Sequence, residues 1–327
     1  MRRKARWALI FGLAVASLAS IDAWAQGFDL QGHRGARGLA PENTLAGFRK
    51  TLEIGVTTLE TDLAVTQDGT LVLSHDPLLN PDLTRGPDGK WLAATGPTIR
   101  SLTLTQVKSY DVGRLNPDSR YAKQWPEQVA VDGERIPTLA ELVELTAAIG
   151  KPQVRFNIET KLTPQRPQDT PDPATFAALA IDAVRRQNIA ARSTIQSFDW
   201  RTLTAIKRQA PDLQTACLTI DSGGMNTVRP DAGGASPWHD GLKATDHGGS
   251  VPRLVKAAGC GTWSMFWRNL TPELVAEARA LGLKVVPWTV NDRADMARLL
   301  DMGVDGLITD YPDRLRAVMA GRGMTLP

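Results

Sequence analysis

Histidine and cysteine are the scarce chemistry-bearing residues of this chain, with four and two copies among 327 residues. The cysteines, Cys217 and Cys260, stand apart from other nucleophilic or metal-binding residue types. That isolation argues against thiol catalysis and against a cysteine metal site. In an exported protein the two could pair; otherwise they are small buried hydrophobes in core strands. No Gly-x-Gly-x-x-Gly follows the first candidate strand, which counts against a dinucleotide fold. There is no internal repeat and no functional run of like charge.

The first 25 residues have the order of a secretory signal peptide. Arg2, Arg3, Lys4 and Arg6 form a basic start, Trp7 to Ala19 is uncharged and apolar, and Ala23-Trp24-Ala25 is a small-x-small cleavage site. The apolar run falls short of the roughly 20 residues of a membrane span, so a stable anchor is not expected. No cysteine follows it, so a lipoprotein anchor is not indicated either. The expectation is cleavage near Ala25 and a periplasmic or secreted mature protein. This segment carries a net charge of +3, as does the whole chain, which leaves the mature part close to neutral. The basic pI is therefore no sign of a nucleic-acid partner.

What is present is a large apolar fraction, 42%, and an alternation of short β-branched runs with helical patterns. Candidate strands are Asp29–Gly32, Thr58–Val65, Val154–Glu159, Ser193–Ser197, Gln214–Leu218, Gly261–Met265, Lys284–Thr289 and Gly306–Thr309. Helical patterns follow most of them, at Thr44–Glu53, Ala174–Gln187, Trp200–Gln209, Pro272–Leu281, Arg293–Asp301 and Asp313–Ala320. Pro272 and Pro312 suit first helical turns, and Gly282 and Gly303 suit helix ends. Eight such units predict an α/β fold, a (β/α)8 TIM barrel occupying 26–327 as one domain. Leu71–Ser74 reads as a short strand turning back on the second one after Asp68-Gly69. The stretch from Asp76 to Pro137 breaks the rhythm and is rich in Pro, Gly, Asp and Arg. It predicts an insertion of about 77–137, leaving from the second strand and capping the barrel mouth. A second loose stretch, Asp221 to Ser250, is dense in glycine.

In a barrel, the C-terminal strand ends converge on one face. His33 closes the first strand, and His75 follows the hairpin of the second. Glu60 and Asp62 lie two apart on the second strand and so share a face. Glu159 ends the third candidate strand, on one face with Asn157 and Lys161. Three clustered carboxylates repel unless neutralised, and a bound cation is the simplest solution. All-oxygen ligands point to one divalent cation of the Ca²⁺, Mg²⁺ or Mn²⁺ type rather than zinc. Ion pairing with Arg34 and Lys161 alone is the alternative. The set suits phosphodiester cleavage: a metal on a phosphoryl oxygen, Arg34 and Lys161 on phosphate charge, and two histidines as base and acid. Trp288 could pack on a substrate carbon chain or serve as a barrel-mouth core residue.

Six motifs in order then carry a resemblance. They are His33-Arg34-Gly35-Ala36 with Pro41-Glu42-Asn43-Thr44; Glu60-Thr61-Asp62 with His75-Asp76; Asn157-Ile158-Glu159-Thr160-Lys161; Gln196-Ser197-Phe198-Asp199; Trp288-Thr289-Val290-Asn291; and Asp305-Gly306-Leu307-Ile308-Thr309-Asp310. From Gln31 to about Pro312 the chain is similar to the glycerophosphodiester phosphodiesterase family. The resemblance implies a barrel with an inserted cap, His33 and His75 as the acid/base pair, and Arg34 and Lys161 on phosphate. It also implies Glu60, Asp62 and Glu159 as ligands of Ca²⁺ or Mg²⁺. The substrate's own glycerol hydroxyl would attack phosphorus, and water would open the cyclic phosphate to glycerol 3-phosphate. Two competing readings use the same residues. A lysophospholipase D or phospholipase C-like enzyme would need an apolar channel, which Trp91, Leu92, Tyr110, Tyr121 and Trp125 could line. A phosphodiester-binding protein without catalysis would need the cations but not the histidines and carboxylates together.

Overall fold

A computed structural model describes residues 27–229 and 234–327. The expected signal peptide lies outside the described residues. The strands are β1 (Asp29–Gly32), β2 (Thr58–Val65), β3 (Leu71–Leu73), β4 (Arg155–Thr160), β5 (Ser193–Ser197), β6 (Gln214–Thr219), β7 (Thr262–Met265), β8 (Lys284–Val285) and β9 (Gly306–Thr309). The helices are α1 (Leu45–Ile54), α2 (Leu104–Val107), α3 (Leu139–Ala148), α4 (Pro173–Arg186), α5 (Trp200–Gln209), α6 (Val251–Ala257), α7 (Pro272–Ala280), α8 (Arg293–Asp301) and α9 (Pro312–Gly321).

Eight strands run parallel in the order β8-β7-β6-β5-β4-β2-β1-β9, and β3 folds back antiparallel on β2. The ends of that path meet through the backbone. Asp305 N donates to Val285 O at 2.9 Å, Ile308 N to Pro287 O at 3.1 Å and Val290 N to Ile308 O at 3.0 Å. The expected strand Lys284–Thr289 is regular only as far as Val285. Beyond it Pro287 has no N–H to give to the ladder.

Burial explains the alternation. On β2 the odd residues Leu59 and Leu63 join Phe48 and Leu52 of α1, Phe156 and Ile158 of β4, and Phe176 of α4 in one core. Glu60 and Asp62 take the other face. The proline and glycine positions act as expected: Pro272 and Pro312 open α7 and α9. Gly282 and Gly303 adopt φ of 73° and 79° just past α7 and α8, a conformation that a Cβ disfavours. Cys217 on β6 is joined to Cys260 by a disulfide.

Three helices have no counterpart in the sequence periodicity: α2, α3 and α6. Helix α3 has a legible signal, the capping box of Thr138 with Glu141. Residues 76–137 carry α2, short 3₁₀ turns and a core of their own. In it Leu79, Ile99, Val107 and Ile136 pack on Ala64 and Val72 of the β2–β3 hairpin. The five aromatic and apolar residues suggested for a channel do not share one. Leu92 and Tyr110 pack on this small core, Trp91 lies beneath Arg85, and Tyr121 and Trp125 pack on each other. Their apolar area is used in holding the segment's parts together.

Candidate active site

Seven of the eight candidate residues (His33, Arg34, Glu60, His75, Glu159, Lys161 and Trp288) line one cavity of about 170 Å³ at the C-terminal strand ends. The eighth, Asp62, joins Glu60 and Glu159: one carboxylate oxygen from each lies within 4.8 Å of the others. A larger cavity, about 490 Å³, sits at the opposite end of the barrel and touches none of the eight.

Each histidine is backed by an aspartate. His33 Nδ1 lies 2.7 Å from Asp310 Oδ1, and His75 Nδ1 lies 2.9 Å from Asp76 Oδ1. Burial pulls the His33 pKa down to about 4, more than the facing Asp310 restores. Burial, with Arg34 and Lys161, also lowers His75. Burial opposes the charge on Asp310, but Arg37 and His33 outweigh it and hold its pKa far below the usual carboxylate range. An ionised carboxylate can only accept, so Nδ1 of His33 carries the proton and Nε2 keeps a lone pair. That Nε2 is 3.9 Å from Glu60 Oε2.

The acidic group is electrostatically divided. Burial, then the charge of Asp62, pushes Glu60 well above its usual range. Burial, opposed by Lys161 and reinforced by Asp62, pushes Glu159 up to about 7. Asp62 feels the same burial, yet Arg34 and Lys161 hold it below the usual range. Lys161 Nζ lies 2.9 Å from Glu159 Oε1 and 3.8 Å from Asp62 Oδ1. With neutral histidines, the buried carboxylates Glu42, Glu60, Asp62, Glu159 and Asp310 would exceed the cations Arg34, Arg37 and Lys161 by two charges if all five ionised, and the raised pKa values of Glu60 and Glu159 reflect that cost. Ion pairing alone therefore does not keep all five ionised, and one divalent cation would match the two further charges. Asp62 Oδ1 is buried without a hydrogen-bond partner. An all-oxygen donor set with an unsatisfied carboxylate oxygen fits a hard divalent ion.

The family model for the glycerophosphoryl diester phosphodiesterase family matches residues 33–314, the span that supplies every one of these groups. The chain belongs to that family. It is 31% identical to the glycerophosphodiester phosphodiesterase of Caldanaerobacter subterraneus over 86% of this chain and 94% of the relative. The crystal structure of a Silicibacter pomeroyi protein assigned to the same family matches with a TM-score of 0.81 at 36% identity, covering 92% of this chain and 96% of that one. An Oleispira antarctica phosphodiesterase solved with sn-glycerol-3-phosphate shares the fold, with a TM-score of 0.64 at 22% identity over 90% of this chain and 97% of that one.

This family member holds its site together with residues that the motif reading quoted without a role or passed over. Arg37 grips Asp310 through Nε at 2.8 Å and Nη2 at 3.1 Å, with its guanidinium 4.3 Å from the centre of the Trp125 ring. Glu42 Oε1 accepts from Arg34 Nη1 at 2.8 Å. Asn43 Nδ2 donates to Asp62 Oδ2 at 2.9 Å and its Oδ1 accepts from Thr61. Beneath Glu60 runs a row of amides. Gln196 Nε2 donates to Glu60 Oε1 at 2.8 Å, while Asn157 Nδ2 donates to Gln196 Oε1 at 3.0 Å and to Gln31 Oε1 at 2.8 Å. Gln31 Nε2 in turn donates to Asp29 at 2.9 Å. Asp310 had a signal: it directly follows β9, at the same barrel level as His33 after β1. Arg37 and Tyr121 had none, because only the folded loop brings them together. A separate wall of the cavity is aromatic: Trp288 packs on Phe198 at 5.3 Å and on Phe266 at 5.9 Å between ring centres.

Proposed function

We propose that this chain hydrolyses glycerophosphodiesters to glycerol 3-phosphate and an alcohol, with a divalent cation, Ca²⁺ or Mg²⁺, held by Glu60, Asp62 and Glu159. The observation that carries the reading is the pairing of two aspartate-backed histidines with a three-carboxylate cluster in one cavity. The cation, when bound, supplies positive charge to the phosphoryl oxygens and assists deprotonation of the attacking hydroxyl.

The chain's own residues do the rest. Arg34 and Lys161 neutralise and orient the phosphate. One histidine Nε2 takes the proton of the glycerol hydroxyl as it attacks phosphorus. The other histidine must enter this step already protonated on Nε2 and gives that proton to the departing alkoxide; the roles reverse when water opens the cyclic phosphate. Phe198 and Trp288 offer an apolar wall to the glycerol carbons. The inserted segment 77–137 shields the barrel mouth. The protein works in the periplasm or outside the cell after cleavage near Ala25, a placement supported by the Cys217–Cys260 disulfide.

The test is release of glycerol 3-phosphate from glycerophosphocholine by protein beginning after Ala25, with chelator and then Ca²⁺ or Mg²⁺ add-back. Chelator-sensitive release that vanishes in His33→Ala supports the reading. Intact substrate under every metal condition refutes it and returns the chain to a lysophospholipid enzyme or a binding protein.

A further inference from the structure

The inserted segment meets the acid–base circuit of the first loop through Tyr121. Tyr121 Oη donates to Glu42 Oε2 and accepts from Arg37 Nη1 at 3.2 Å. Glu42 Oε1 holds Arg34 Nη1, Arg37 holds Asp310, and Asp310 holds His33 Nδ1. His33 and Arg34 are consecutive, so these bonds form a closed circuit that begins and ends on neighbouring residues. Tyr121 is its only member from the inserted segment. Trp125 presses on the opposite side of Arg37, and Tyr121 meets Trp125 edge-on at 6.0 Å.

We propose that Tyr121 is a positioning residue through which the inserted segment controls how tightly Glu42 holds Arg34, and hence how much of Arg34 is free for the substrate's phosphate. Arginine and carboxylate pair most strongly through two parallel N–H···O bonds. Here Glu42 has one oxygen on Arg34, and Tyr121 occupies the other. Remove the hydroxyl, and Glu42 is a buried carboxylate with a vacant oxygen beside a guanidinium. The second oxygen then turns to Arg34, and a forked pair withdraws that cation from the phosphate. Arg37 keeps its two bonds to Asp310, so the histidine side of the circuit is little altered. The effect falls on substrate binding more than on the chemical step.

This inference rests on the phosphodiesterase reading, and the experiment separates the two. Steady-state kinetics on glycerophosphocholine are measured for the wild type, Tyr121→Phe, Glu42→Gln and the double variant, with calorimetric affinity for glycerol 3-phosphate alongside. Wild-type turnover decides the function. Tyr121→Phe is expected to raise KM about tenfold, the loss of one hydrogen bond to a charged group, with kcat within about twofold. In the Glu42→Gln background the same change is expected to move KM by less than about twofold, because a neutral amide cannot form the forked ion pair. An unchanged KM in Tyr121→Phe overturns the proposal. So does an equal rise in both backgrounds, which marks plain packing, or a loss confined to kcat. A wild type that neither turns over the diester nor binds glycerol 3-phosphate overturns the function and this role together.

Discussion

The Cys217–Cys260 disulfide makes a stability prediction with a magnitude. The two residues are 43 apart in sequence, and both are buried, at 0% and 3% exposure. In the chain-entropy model, a closed loop of that size removes about 13 cal/mol/K from the unfolded state, or about 4 kcal/mol at 25 °C. For a folded chain of roughly 300 residues the unfolding entropy is about 0.6 kcal/mol/K, so the midpoint should fall by about 6–8 °C without the bond. The perturbation is the double replacement Cys217→Ala/Cys260→Ala, which leaves no lone thiol. Urea unfolding is then compared between the variant, the oxidised wild type, and wild type unfolded and refolded under reductant. The variant and the reduced protein should share a lowered midpoint. Both should show a slightly larger urea slope, because the unlinked unfolded chain exposes more surface. A variant as stable as the oxidised wild type would refute the loop-entropy reasoning. A variant far below the reduced wild type would show that cavities at the two sites dominate instead.

Three further outcomes follow from the geometry. His239 is buried against the Trp200 ring at 4.1 Å, and burial lowers its pKa to about 4. Between pH 6.5 and 4 the unfolded chain thus binds a proton that the folded chain refuses. Its contribution is full above pH 6.5 and is lost toward pH 4, by about 3 kcal/mol, and His239→Phe should flatten that slope in pH-dependent melting; parallel curves would count against it. Asp310→Asn replaces an acceptor-only carboxylate with an amide that can also donate to Nδ1 and so frees the His33 tautomer; it should lower kcat by about 10²–10⁴ with near-native circular dichroism, whereas a drop under about threefold would exclude the orienting role. Divalent cation at a hundredfold excess over its dissociation constant should add about 2.7 kcal/mol of stability, measured as a midpoint shift that Asp62→Asn abolishes; an equal shift in the variant would place the ion elsewhere.

The barrel was legible because its strands are short, β-branched and separated by helices with clear starts and stops. β1, β2, β5 and β9 have the bounds expected of them, and each is largely buried. Helices α2, α3 and α6 were not legible, because they lie within or directly after the two loose stretches, where periodicity is interrupted. The carboxylates and histidines were legible through strand period and strand ends, which are local facts. The clamp of Glu42, Tyr121 and Arg37 was not. Its members are 84 residues apart at the widest, and the pairing depends on how the inserted segment lies over the first loop. The disulfide stood undecided for a like reason: spacing gives no distance, and only neighbouring strands bring Cys217 within bonding reach of Cys260.

The amide row under Glu60 has a grammar that limits substitution. It ends in carboxylates, Asp29 at one end and Glu60 at the other, and each end demands a donor. Two glutamines facing outward to meet those demands must turn their oxygens inward, toward each other. Something between them has to give two hydrogens and ask for none. Asn157 does this with both hydrogens of one nitrogen, and its Oδ1 is left buried with nothing to accept from, the unmatched word that keeps the sentence reading outward. Aspartate, nearly the same shape, has no hydrogen to offer there. A one-atom exchange at Asn157 would therefore be felt two residues away in the row, as a turn of the Glu60 carboxylate.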